Sequence, residues 1–71
     1  MAEKKFLITI GKKIKQYRQR NNMTQNDLAI ECNFEKATMS RIESGKSNPT
    51  VRTLVKISNA LHIHLSELFI E

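Results

Sequence analysis

The chemistry open to this chain is carried by hydrogen-bond donors rather than by nucleophiles or metal ligands. Its 71 residues include one cysteine, Cys32, and two histidines, His62 and His64. The histidines lie away from the cysteine, no acid or second cysteine completes a metal spacing, and there is no glycine-rich phosphate loop or paired-carboxylate pattern. An enzyme, a metal and a cofactor are therefore not expected, and Cys32 reads as a small core residue. What remains is a set of polar groups between residues 25 and 52. Lys36 and Arg41 donate to oxygen or ring-nitrogen acceptors, Thr38 and Ser40 donate or accept, and Ala37 offers a methyl-sized apolar contact. Gln25, Lys46, Ser47, Asn48 and Arg52 flank them in sequence.

The elements that must position these groups lie in residues 24–45, TQNDLAIECNFEKATMSRIESG. Thr24 with Asp27 three residues on is an N-cap with a shortened capping box, opening an apolar run through Leu28, Ala29 and Cys32. Asn33 tolerates a left-handed backbone, so it can end that helix and turn the chain sharply. A second helix then buries Met39 and Ile42, with Phe34 beside its start and Gly45 closing it. Its outward face carries Lys36, Ala37, Ser40 and Arg41. Two helices this short cannot stand alone in water, so the flanking chain must hold them.

Before them, Phe6, Leu7, Ile10, Ile14 and Tyr17 recur at spacings of three and four and give one helix a core-facing stripe. Gly11 interrupts it at a propensity cost of about 1 kcal/mol, which points to close approach by another helix. Met1 to about Lys5 is polar and expected to fray. After Gly45 comes the polar loop KSNPT, with Thr50 as the cap of a fourth helix whose stripe is Val51, Leu54, Ile57, Ala60 and Leu61. His62 to Leu65 closes that helix, and Ser66 is expected to cap a short fifth one. Its Leu65, Leu68, Phe69 and Ile70 exceed what one short helix can hide: some can fill the core, and the set is the expected dimer interface.

Composition bounds the partners. The chain is one small domain, 39% hydrophobic and 27% charged, without a signal-peptide pattern or an apolar run long enough to span a bilayer. A cytoplasmic protein with no membrane partner is expected, and a single cysteine fits a reducing compartment. The net charge of +5 is unevenly placed: all 12 Lys and Arg residues lie between Lys4 and Lys56, whereas residues 57–71 contain none and hold Glu67 and Glu71. One end of the molecule suits phosphates and the other does not.

TQNDLAIECNFEKATMSRIESGKSNPT resembles the helix-turn-helix of the Cro and lambda-repressor family, also called the XRE family, whose members dock a short helix into the major groove. The likeness continues through Ile10-Gly11 and Arg18 and through Asn48-Pro49-Thr50, Leu54, Ala60-Leu61 and Ser66-Glu67-Leu68-Phe69. It implies an all-α, compact five-helix lambda-repressor-like fold, with helices over about 5–21, 25–32, 35–44, 50–61 and 66–70. It also implies that Arg18 pairs with Glu43, tying the first helix to the end of the third. The third helix would lie in the major groove of double-stranded DNA, with Lys36, Ala37, Arg41 and Ser40 reading bases. Gln25, Thr38, Lys46, Ser47, Asn48 and Arg52 would contact phosphates, Gln25 also bracing the recognition helix.

The resemblance thus implies a sequence-specific regulator that binds a pseudo-palindromic operator as a homodimer, with RNA polymerase a further candidate partner. A restriction-modification controller and a phage or mobile-element repressor both fit. The sequence departs from the family pattern at three positions. Glu35 stands where a serine or threonine cap is usual, and an acid there repels phosphate unless it is turned inward or paired. Asn33 and His62 replace glycines usual at helix ends. Glu35 and the apolar C-terminus leave open an alternative, a protein-interaction module such as an antitoxin-like partner.

Overall fold

The computed structural model describes residues 3–70, which form α1 (Glu3–Arg20), α2 (Gln25–Glu31), α3 (Lys36–Glu43), α4 (Val51–Ala60) and a closing 3-10 helix (Leu65–Phe69), with no strand among the described residues. No helix of the described residues is long and apolar enough to cross a membrane. The first helix begins at Glu3, so the expectation of a frayed start is corrected from that residue on; Met1, Ala2 and Glu71 lie outside the described residues. An acid in the first turn complements the positive end of the helix and helps it start early.

The fifth element is a 3-10 turn where an α-helix was expected. Its five residues are too few to offset helix nucleation, and the tighter geometry appears in Glu67 N–H bonding to the His64 carbonyl at 3.0 Å. Ser66 sits inside this turn and is not its cap; His64, with extended backbone, precedes it.

Helix starts follow side-chain chemistry. The Thr24 hydroxyl accepts from Asp27 N–H at 3.0 Å while the Asp27 carboxylate accepts from Thr24 N–H at 2.8 Å, closing the capping box. At α4 the cap is one-way: the Thr50 hydroxyl accepts from Thr53 N–H at 3.2 Å.

Helix ends share one solution. Each α-helix finishes on a left-handed residue, in order Asn22 (φ 57°), Asn33 (φ 60°), Gly45 (φ 77°) and His62 (φ 59°). The next N–H in each case reaches back five residues, from Met23 to Arg18, Phe34 to Ala29, Lys46 to Arg41 and Ile63 to Ser58. Asn22 was not singled out by sequence. Three of the four positions lack glycine and carry the steric cost of a Cβ there, of order 1 kcal/mol each.

The core gathers the expected stripes: Ile10 and Ile14 from α1, Leu28, Ala29 and Cys32 around α2, Met39 and Ile42 from α3, and Leu54, Ile57 and Leu61 from α4. Four positions differ. Val51, expected inward, is 65% exposed because the first residue of α4 overhangs the bundle, and Phe6 is also partly exposed. Leu68, expected at a dimer surface, is 0% exposed and completes the core, while Leu65 is half-buried against it.

Gly11 sets how closely α3 meets α1. A Cβ there would overlap the Glu43 carbonyl oxygen and lie 2.7 Å from that of Ile42. Backbone oxygens at the end of a packed helix cannot swing aside as a side chain does. Gly11→Ala gains about 1 kcal/mol of helix propensity but forces an overpacking that costs about 1–3 kcal/mol. The expected net result is a lower melting temperature by circular dichroism, and a variant melting at or above wild type would refute this account of the contact.

Candidate nucleic-acid interface

The third helix is fixed on one side and free on the other. Met39 and Ile42 are buried, whereas Lys36, Ala37, Ser40 and Arg41 are all exposed and Thr38 is half-buried. The sequence-predicted base-facing residues are therefore brought together on one outward strip. The Ser44 hydroxyl and the Lys46 N–H both donate to the Arg41 carbonyl, at 3.1 and 2.9 Å, and close the helix end without using the Arg41 side chain.

A buried ion pair orients that strip. Arg18 Nε donates to Glu43 Oε2 at 2.6 Å and Nη2 to Oε1 at 3.0 Å, while Nη1 donates to the Met23 carbonyl at 2.8 Å. Gln25 Nε2 adds a bond to Glu43 Oε1 at 3.1 Å. A carboxylate at the C-terminal, negative end of a helix is unfavourable there, and the guanidinium supplies the opposing charge in fork geometry. Among the described residues, no buried side-chain polar atom lacks a partner. The Gln25 amide braces α2 against α3, which leaves its second N–H and its carbonyl for other contacts.

The flanking groups divide by position. Lys46, Asn48 and Arg52 are exposed and Ser47 is half-buried, in the loop after α3 and the first turn of α4. Lys4, which sequence reasoning passed over, joins them: it lines one recess with Ser44, Lys46, Ser47 and Asn48. The signal was present in the chain, since Lys4, Gly11 and Arg18 recur every seven residues and share a face of α1. Arg18 meets Glu43, Gly11 meets the end of α3, and Ile8 packs on Gly45, so the next two turns back carry Lys4 to the loop.

Elsewhere the titratable groups have structural roles. Backbone and hydroxyl hydrogen bonds from Thr24 hold the Asp27 carboxyl below the usual carboxylate range. Burial, reinforced by Glu31, pushes the Cys32 thiol up, which disfavours the reactive thiolate. Among the described residues, no three or more His, Cys, Asp or Glu side chains gather where a metal could sit.

The sequence profile of the helix-turn-helix family matches residues 14–68, which takes in α2, α3 and most of the supporting helices. The chain belongs to the helix-turn-helix family of XRE, or Cro/C1, type. It is 43% identical over 61 residues to the HTH-type transcriptional regulator SlrR of Bacillus subtilis, a match covering 84% of this chain and 40% of that protein. It is 36% identical over 62 residues to the control protein C.BamHI of Bacillus amyloliquefaciens, covering 86% of this chain and 76% of that one. In three dimensions it resembles the restriction-modification controller protein C.AhdI from Aeromonas hydrophila, with a TM-score of 0.86, 25% identity, and coverage of 89% and 96% of the two chains. The chain thus spans less than half of SlrR but most of both controllers.

The ion pair makes a direct prediction. Glu43→Leu strands the Arg18 guanidinium in a buried place and is expected to cost about 3–5 kcal/mol in chemical denaturation. Replacing both partners, with Arg18→Met and Glu43→Leu together, should recover most of that loss, because no lone charge is left inside. A single variant within about 1 kcal/mol of wild type would mean the pair does not lock the helices.

Proposed function

We propose that this chain is a sequence-specific, double-stranded-DNA-binding transcriptional regulator that binds a pseudo-palindromic operator as a homodimer. The observation that carries the reading is the outward strip Lys36, Ala37, Ser40 and Arg41 on a helix whose opposite face is fixed by the core and by Glu43. The relatives support the same reading, being by name a transcriptional regulator, a control protein and a restriction-modification controller protein. With α3 in the major groove, Arg41 and Lys36 donate to guanine O6 and N7, Ala37 touches a thymine methyl, and Ser40 reaches either base type. Gln25, Thr38, Lys46, Ser47, Asn48 and Arg52 hold the phosphates, and Lys4 extends that grip from the start of α1.

One such helix reads only a few base pairs, so a two-fold dimer presenting two of them about 34 Å apart is part of the proposal. Its joint is the apolar patch of Phe6, Val51, Phe69 and Ile70. Phe6 and Phe69 stack at 6.0 Å between ring centroids, and the two line one recess with Leu7, Pro49 and Val51. Ile70, 56% exposed, lies at its edge in sequence and in no regular element.

Two measurements test the proposal. Titration of the full chain against duplexes selected from a random pool should show a linear fall of log affinity with log salt, about 0.9 per phosphate contact. Lys46→Ala or Arg52→Ala should each lower that slope by about 1 at every sequence, whereas Lys36→Ala and Arg41→Ala should relax base preference. Equal affinity for selected and random duplexes would overturn the reading. For the joint, Ile70→Asp should move the protein toward monomer in sedimentation equilibrium while leaving its helicity intact. An unchanged dimer would place the interface elsewhere.

A further inference from the structure

We infer that Glu35 is a specificity residue that accepts a hydrogen bond from the exocyclic N4 amine of a cytosine in each half-site. The inference rests on the DNA-binding reading above and goes beyond it, because an acid is not among the groups that attract DNA.

Glu35 is the N-cap of α3, with φ −76° and ψ 152°, and its side chain makes no cap hydrogen bond. The threonines that cap α2 and α4 in this same chain both do. Glu35 is exposed, and among the described residues the one ion pair is that of Arg18 with Glu43. Its carboxylate is therefore neither turned inward nor neutralised. It stands at the N-terminal end of α3, immediately before Lys36 in the chain.

A carboxylate can only accept. In a major groove it is repelled by phosphate oxygens and by the acceptors guanine O6 and N7, thymine O4 and adenine N7. Two donors remain, cytosine N4 and adenine N6. The adenine amine lies between two acceptors, its own N7 and the O4 of the paired thymine, whereas the cytosine amine has an apolar C–H on one side and an acceptor, the O6 of the paired guanine, on the other only. Cytosine is thus the base edge that sets the fewest acceptors against Glu35, and the adjacent Lys36 favours guanine O6 and N7 by the opposite charge. Because the same carboxylate opposes every other arrangement, it lowers affinity for wrong sequences more than it raises affinity for the right one.

The test compares the full-length wild type with E35S, which supplies an ordinary helix cap and should fold at least as well by thermal melt. Each is used to select duplexes from a random pool. Wild type should enrich a cytosine at one position per half-site, and other bases there should bind roughly tenfold more weakly. E35S should accept all four bases at that position to within about twofold and keep the rest of the consensus. Placing N4-methylcytosine there, whose remaining N–H is taken by Watson–Crick pairing, should weaken wild type as a mismatch does and leave E35S unaffected. If wild type selects no consensus, the DNA-binding reading fails and this inference with it. If wild type selects one and E35S selects it with equal discrimination, whether or not it binds all DNA more tightly, the inference alone is overturned.

Discussion

The arrangement depends on one buried contact, the fork of Arg18 on Glu43. It joins α1 to the last turn of α3, and through the Met23 carbonyl and the Gln25 amide it also reaches the turn before α2 and the first residue of α2. An eight-residue helix has too few internal hydrogen bonds to persist by itself. Apolar burial of Met39 and Ile42 holds it against the core but is non-directional and leaves its rotation loosely set. A bidentate charged pair is directional, so it fixes which residues of α3 face outward. Gly11 is the steric complement, because only a residue without a Cβ lets the end of α3 come close enough to α1 for the fork to close.

What could be read from the chain is what local spacing determines. The Thr24–Asp27 box, the Thr50 cap, the left-handed Asn33 and Gly45, the Gly11 approach and the four-residue strip on α3 all follow from intervals of a few residues, and the structure reproduces each. Arg18 with Glu43 spans 25 residues and was reached through family resemblance, not through the interval. What was missed depends on how elements meet. Leu68 reads as surplus apolar surface in a short tail, yet the space between α1 and α4 accepts it wholly. Ser66 has cap chemistry but stands two residues late, because the left-handed His62 redirects the chain before the turn begins.

The surface is divided by the same packing. Residues that fix the backbone of α3 come from α1, so the start of α1 is carried to the loop after α3, where Lys4 lines one recess with Lys46, Ser47 and Asn48. The opposite consequence falls on the two ends of the chain. Phe6 and Phe69 stack at the surface, so the start of α1 and the C-terminal turn present one apolar patch instead of two separate ones. A basic strip and an apolar patch on one small body are what the proposed dimer needs: one surface to meet DNA and another to meet its copy.

The uncapped start of α3 is intelligible on these terms. A helix of this length would ordinarily need its N-cap, which contributes about 1 kcal/mol. Here the C-terminal end is closed by Gly45, by the Ser44 and Lys46 bonds to the Arg41 carbonyl, and by the buried fork, while the middle is held by Met39 and Ile42. The free energy that holds the helix is concentrated in its middle and at its C-terminal end. Loss of one cap at the other end is then a small fraction of the total, and position 35 is released from a structural duty. A residue so released can be chosen for what it meets outside the protein, which is the freedom that the proposed cytosine contact of Glu35 needs.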